Sequence, residues 1–177
     1  MIRGEKVTFR ALERDDLRQL RDWRNLPEVR KRTREFRLLS MEHQERWFTQ
    51  LHDDRNTIMF AVLDEQGKLI GVVGLTYIDW KNRRSEVSIY IGDEEAWGKG
   101  YGFDALKTLM AYGFHTANLH KLYAEIFAFN EPSIRLFEKA GFTRDGAKRE
   151  DQYVDGKYWD TYVYSVLASE LRTDSAR

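Results

Sequence analysis

The sequence predicts a single mixed α/β (α+β) domain: a seven-stranded, mostly antiparallel sheet with about four helices on its faces. Three observations predict it. Runs of strand length alternate with segments of helical periodicity along the whole chain. Two strand junctions, Asp64-Glu65-Gln66-Gly67 and Asp155-Gly156, carry hairpin residues and so require antiparallel neighbours. The 177 residues include only two prolines and no repeat, low-complexity tract or linker. All the elements therefore belong to one unit, residues 1–170, with residues 171–177 expected as a tail.

The elements follow in order. Val7-Thr8-Phe9-Arg10-Ala11 alternates apolar and polar residues and reads as a first strand. Asp15 to Trp23 places Leu17, Leu20 and Trp23 at helical spacing, and Asn25-Leu26-Pro27 ends that helix. Ser40 is an N-cap for a second helix carrying Trp47, Phe48 and Leu51, with His43 where a capping-box Glu or Gln would sit. Three strands are expected next, at Thr57 to Leu63, Leu69 to Tyr77 and Ser85 to Ile91. A long helix runs from near Gly100 to about Thr116, with Leu106, Leu109, Met110 and Phe114 on its apolar side. Lys121 to Phe127 is a strand, and Asn130-Glu131-Pro132 opens a helix that stops at Ala140-Gly141. The strands Thr143 to Tyr153 and Lys157 to Val166 close the chain as a hairpin.

Composition removes several function classes. Hydrophobic residues at 42% and aromatics at 14% suit a packed core and argue against a disordered chain. The 29 basic residues balance 29 acidic ones, so no net charge draws the chain to nucleic acid or an anionic membrane, although residues 18–37 are rich in arginine. The lack of cysteine excludes disulfides, thiolate metal sites and a cysteine nucleophile. No apolar run resembles a signal peptide or approaches the roughly 20 residues of a membrane span, so a cytoplasmic protein is expected. The four histidines form no pair or cluster with ligand spacing, and no metal is expected.

Chemistry concentrates after the third of the central strands. There a strand ending at Ile89-Tyr90-Ile91 passes through a short loop into Trp97-Gly98-Lys99-Gly100-Tyr101-Gly102, where three alternate glycines open a helix. Such glycines let the backbone approach a ligand and aim several N–H groups one way. The helix terminus behind them favours a pyrophosphate, to which Lys99 could add charge. The glycine spacing is neither that of a Walker loop nor that of a dinucleotide fingerprint, and by itself the run also suits a tight strand-to-helix connection.

A second constellation follows the strand at Lys121 to Phe127: Asn130, Ser133, Leu136, Lys139, Gly141 and Phe142. Together the two stretches resemble the GNAT N-acetyltransferases, specifically the branch that includes ribosomal-protein N-terminal acetyltransferases. Gly100 and Gly102 match that superfamily's pyrophosphate loop, with Trp97 in place of its polar first residue. The resemblance spans nearly the whole chain. It implies a splayed sheet, and acetyl-CoA as co-substrate with its pantetheine arm in the opening. Backbone groups of Ile89 and Ile91 would bond the pantetheine amides. Gly98, Lys99, Gly100, Tyr101 and Gly102 would hold the pyrophosphate, and Asn130 and Ser133 would reach the cofactor from the other side. Asn130 also suits a plain helix N-cap.

Acetyl transfer needs a neutral amine, so a base must take a proton from an ammonium. Two strand carboxylates are candidates, Glu125 and Glu86. Glu125 lies twelve residues before the position where the family often places a tyrosine acid, and Glu86 begins the strand where other members keep their base. That tyrosine is Phe137 here, which cannot donate a proton. Tyr101, Tyr123 or Tyr90 could supply it, or the thiolate could leave without an acid.

The acceptor is expected to meet the N-terminal helices and the last hairpin. Trp23-Arg24-Asn25-Leu26-Pro27-Glu28-Val29-Arg30, followed by Ser40, Glu42, His43, Trp47 and Phe48, resembles members that acetylate nucleotide-linked 4-amino sugars. Arg24, Asn25 and Arg30 are the candidate acceptor ligands, with Arg32 and Arg34 as further groups for a diphosphate. The alternatives kept are a peptide N-terminus, a polyamine or antibiotic in a carboxylate-rich pocket, and a non-catalytic acyl-CoA sensor. A monomer or homodimer is expected.

Overall fold

The computed structural model describes residues 1–171. Eight strands form one sheet: β1 (Ile2–Arg3), β2 (Thr8–Ala11), β3 (Ile58–Leu63), β4 (Leu69–Asp79), β5 (Arg84–Ile91), β6 (Lys121–Phe127), β7 (Thr143–Val154) and β8 (Lys157–Leu167). Their spatial order is β1-β2-β3-β4-β5-β6-β8-β7. Every neighbouring pair is antiparallel except β5 and β6, which run parallel. The expected sheet gains one strand, the two-residue β1, which is too short to leave a period in the sequence. The tail expected at 171–177 lies, apart from Leu171, outside the described residues.

Five α-helices accompany the sheet: α1 (Leu17–Asn25), α2 (Pro27–Arg30), α3 (Met41–Asp53), α4 (Tyr101–Ala111) and α5 (Glu131–Lys139). The unexpected one is α2. Pro27 does end α1, and it also starts a new turn at a position where its missing N–H costs nothing. Before α1, the expected helical residues from Asp15 form a 3-10 turn, Arg14–Asp16. After α4 the helical run continues as a π-turn, Tyr112–Thr116, so the expected length holds while its last turn widens. Ser40 caps α3 by accepting from the His43 N–H at 3.3 Å, and His43 Nδ1 accepts from the Ser40 N–H at 3.3 Å. Histidine thus completes the capping box that a Glu or Gln usually closes.

The two faces of the sheet follow the two-residue period of its strands. Val62 and Val73 point to the α4 and α5 side, where they meet Leu106, Leu109 and Phe137. Their neighbours Ala61 and Val72 point the other way, toward Leu17, Leu20, Trp23 and Phe48 of α1 and α3. The tip of the last hairpin has Asp155 at φ 51° and Gly156 at φ 85°, the left-handed pair that a two-residue turn between twisted strands needs.

Candidate active site

The parallel pair β5 and β6 is joined only at its start, through Arg84↔Lys121, Ser85↔Leu122 and Glu86↔Tyr123. Beyond Glu86 the ladder ends while β5 keeps its other partner, β4, as far as Gly71↔Ile91. The sheet is therefore open along Val87 to Ile91, where backbone groups on the β6 side are left for a ligand. A cleft of about 330 Å³ occupies the opening, walled by Ile89, Ile126, Phe127, Asn130, Ser133 and Phe137.

Asn130 is the N-cap residue of α5, its carbonyl accepting from the Ile134 N–H at 3.1 Å, but its side chain makes no capping bond and the residue borders the cleft. Ser133 borders it one turn on. Ile91 behaves differently from Ile89: its carbonyl already accepts from Trp97 Nε1 at 2.7 Å. Trp97 thus has a structural task in a place where the resemblance suggested a polar ligand.

Past Trp97, Gly98 at φ 73° and Gly100 at φ 88° hold the chain in the left-handed region, and Gly100 is the N-cap of α4. A Cβ at Gly98 would touch nothing, so the loop faces open space. Conformation, then, accounts for the glycine here, and space is left for a ligand. Lys99 is exposed, and its carbonyl accepts from Lys6 Nζ at 3.0 Å. Lys6 is fixed by Asp104 of α4, whose carboxylate accepts from the N–H groups of Glu5, Lys6 and Val7 at 3.1, 2.7 and 2.9 Å. Nothing in the sequence marks Asp104 or Lys6 as part of this loop.

The two candidate bases meet. Glu86 and Glu125 face the same side of the parting strands, and Arg34, from the segment between α2 and α3, lies across both. Its Nη2 is 2.5 Å from Glu86 Oε1 and 3.1 Å from Glu125 Oε2, while Nη1 is 3.2 Å from Glu86 Oε2. Lys148 on β7 bonds the remaining Glu125 oxygen. Burial opposes the charge on Arg34, but its hydrogen bonds to Glu86 and the charges of Glu86 and Glu125 outweigh that. The guanidinium is held above the ordinary arginine range. Sequence reasoning placed Arg34 among possible diphosphate ligands and missed this bridge, because the partners stand 52 and 91 residues away.

Of the three tyrosines offered as acids, Tyr101 donates to Glu65 at 2.5 Å on the exposed side of α4. That bond, ahead of desolvation, raises its hydroxyl to about 12. Tyr123 is raised by burial and then by Glu86 and Glu125, but it does not line the cleft. Tyr90 follows Glu86 and Ser88 on one face of β5 and borders both the cleft and a larger cavity beside it; burial raises its hydroxyl against the opposing effect of Arg24. Phe137 is buried, edge-on to Phe142 at 4.9 Å, with its ring toward the cleft.

On the α1 and α3 side the cleft widens into a cavity of about 1040 Å³ that shares Arg24, Arg34, Tyr77 and Glu86 with it. Its polar lining includes Arg37, His43, Arg46, Glu35 and Asp54. The candidate acceptor ligands divide. Arg24 borders both cavities. Asn25 is committed to Leu39, and Arg30 lies outside the lining of both. Tyr77, at φ 50° beside a register shift between β4 and β5, is an aromatic residue in a strained conformation turned into this cavity; sequence reasoning missed it. Among the described residues no group of three acidic or histidine side chains is placed to hold a metal, and no helix is long and apolar enough to cross a membrane.

Comparison with known proteins agrees with this geometry. The family described as Acetyltransferase (GNAT) domain matches residues 6–143. The spermidine N(1)-acetyltransferase of Vibrio cholerae is 31% identical over 94% of this chain and 96% of that protein. A crystal structure of the V. cholerae enzyme with CoA and spermine superposes with a TM-score of 0.89, at 31% identity, over 93% of this chain and 97% of that one. A Bacillus subtilis protein provisionally named a ribosomal N-acetyltransferase is 32% identical over 66% of this chain and 63% of its own length.

Proposed function

The chain belongs to the GNAT acetyltransferase family and is an acetyl-CoA-dependent N-acetyltransferase of primary amines, and from that premise we propose that its acceptor is a small-molecule amine bearing an anionic group, as a nucleotide-linked amino sugar does. The observation behind this reading is the charge in the acceptor cavity. Arg24, Arg34, Arg37 and Arg46 line it together with Glu35, Asp54 and Glu86. Glu35 is paired with Arg37, and Glu86 with Arg34. Arg46 reaches Glu42 at 3.8 Å, which leaves Arg24 beside Asp54, but the lining as a whole carries four arginines against three carboxylates, and an arginine fork suits a phosphate better than a polycation.

We assign the roles as follows. Acetyl-CoA supplies an activated thioester. The open cleft and the bare, left-handed loop fit it: N–H groups from Gly98 to Gly102 would hold the pyrophosphate, with Lys99 and Lys6 nearby. Backbone groups around Ile89 would orient the pantetheine, and Asn130 and Ser133 would close on it from α5. Ile126, Phe127 and Phe137 keep water from the thioester. Glu86 borders both cavities and is the better placed to take the ammonium proton; Glu125 borders only the smaller one. Tyr90, alone among the three tyrosines considered as acids, borders both cavities.

A second reading has its own support. Relatives named as spermidine acetyltransferases span nearly the whole chain, and Glu35, Asp54 and Glu86 could receive a polyamine. Thiol release from acetyl-CoA with UDP-4-amino sugars, polyamines, N-terminal peptides and aminoglycosides separates these. Turnover highest with the nucleotide sugars is expected. A preference for spermidine or spermine would replace the anionic acceptor with a polyamine.

A further inference from the structure

Resting on that reading of the acceptor cavity, we propose that Arg34 is a specificity-determining residue: it fills the subsite of the acceptor ammonium between Glu86 and Glu125. An acceptor whose anionic group draws the guanidinium aside then gains those carboxylates.

All four oxygens of the two carboxylates already hold a cation's N–H. Arg34 takes both of Glu86 and one of Glu125, and Lys148 takes the fourth. This is the arrangement an incoming ammonium would seek, since it too must donate N–H to a carboxylate before passing on its proton. The guanidinium cannot pass its proton on, because it stays charged throughout the working pH range. While it remains, an ammonium must share each carboxylate with a cation already bound to it.

The geometry permits the exchange. The Arg34 side chain is 46% exposed, against 10% for Glu86 and 19% for Glu125, so the cation is reachable from the cavity that the carboxylates underlie. It comes from residues 31–39, which contain neither helix nor strand, so its withdrawal breaks no ladder. Lys148, by contrast, belongs to β7.

Charge pairing makes the exchange selective. Pulling Arg34 away leaves the buried Glu86 carboxylate unpaired, while Glu125 keeps Lys148, and this is costly unless another cation replaces it. The freed guanidinium needs an anion, and a phosphate matches its fork in two places. A molecule with both an ammonium and a phosphate satisfies both requirements. A simple alkylamine supplies only the first and must drive Arg34 into water.

The test compares wild type with Arg34→Ala on a UDP-4-amino sugar, spermidine and a short alkylamine. The substitution is expected to raise kcat/KM for the alkylamine by about tenfold and to lower it for the nucleotide sugar by about tenfold or more. An equal fall with every amine, restored by Arg34→Lys, would make Arg34 a positioning group for Glu86 and overturn the proposal. Should the alanine variant fail to fold, wild type with the alkylamine decides: added inorganic phosphate should raise turnover several-fold, and no stimulation overturns the exchange. A wild-type preference for spermidine would sink the acceptor reading alone. The ammonium subsite would then stand or fall on whether Arg34→Ala speeds the alkylamine.

Discussion

Asn25 binds both backbone groups of Leu39: its Nδ2 donates to the Leu39 carbonyl at 2.9 Å, and its Oδ1 accepts the Leu39 N–H at 2.8 Å. The last residue of α1 thereby pins the far end of the segment that delivers Arg34. Asn25→Ala removes two partly buried hydrogen bonds and should cost about 1–3 kcal/mol, read from chemical denaturation. It should also change the acceptor KM while leaving the cofactor KM alone. An equal change in both would deny the segment a separate role.

Gly100→Asp should abolish cofactor binding in a folded protein. At φ 88° any L side chain is strained, and a carboxylate there would stand against the pyrophosphate. A rise of about a hundredfold or more in Kd is expected by calorimetry. Retained affinity in the folded variant would move the phosphate site away from this loop.

Glu86→Gln should lower kcat by about a hundredfold at neutral pH with little change in cofactor affinity, and Glu125→Gln should lower it less. The order follows from access, since Glu86 borders both cavities. The reverse order would make Glu125 the base. Unchanged rates in both variants would place proton removal elsewhere.

Asp16 gives the fold a pH-dependent contribution. Desolvation works to raise its carboxyl, but the paired hydrogen bonds from Arg10 at 2.7 and 2.8 Å and the Glu13 N–H at 2.9 Å prevail, so it lies below the ordinary value. A lowered folded pKa means the stabilisation is complete above the unfolded value of about 3.9 and is lost as pH falls through the folded one. Asp16→Asn should therefore be less stable than wild type by about 2 kcal/mol at pH 7. That gap should close below about pH 4. A gap unchanged at pH 3 would assign the effect to shape.

The succession of strands and helices along the chain and the loop into α4 were legible because both leave local signatures: a two-residue period, turn residues, and glycines before a helix. His43 as a capping-box partner was legible for the same reason, since cap chemistry acts over three residues. The Arg34 bridge was not, because it joins residues whose proximity depends on where β5 and β6 part. Asn25 shows the opposite limit: an amide at a helix end suits a ligand and a loop contact equally, and only the position of Leu39 separates them.

The three N–H groups gathered by Asp104 belong to residues 97 to 99 positions earlier in the chain. On a ribosome, the segment at Glu5–Val7 has left the exit tunnel long before its partner is synthesised. This border of the sheet must then wait, unsecured, until the 97 positions that separate Val7 from Asp104 have been made. Assembly of the phosphate-facing loop is in this way coupled to completion of the amino-terminal border, so a lesion at either end of that pairing would leave the other unfinished during biogenesis.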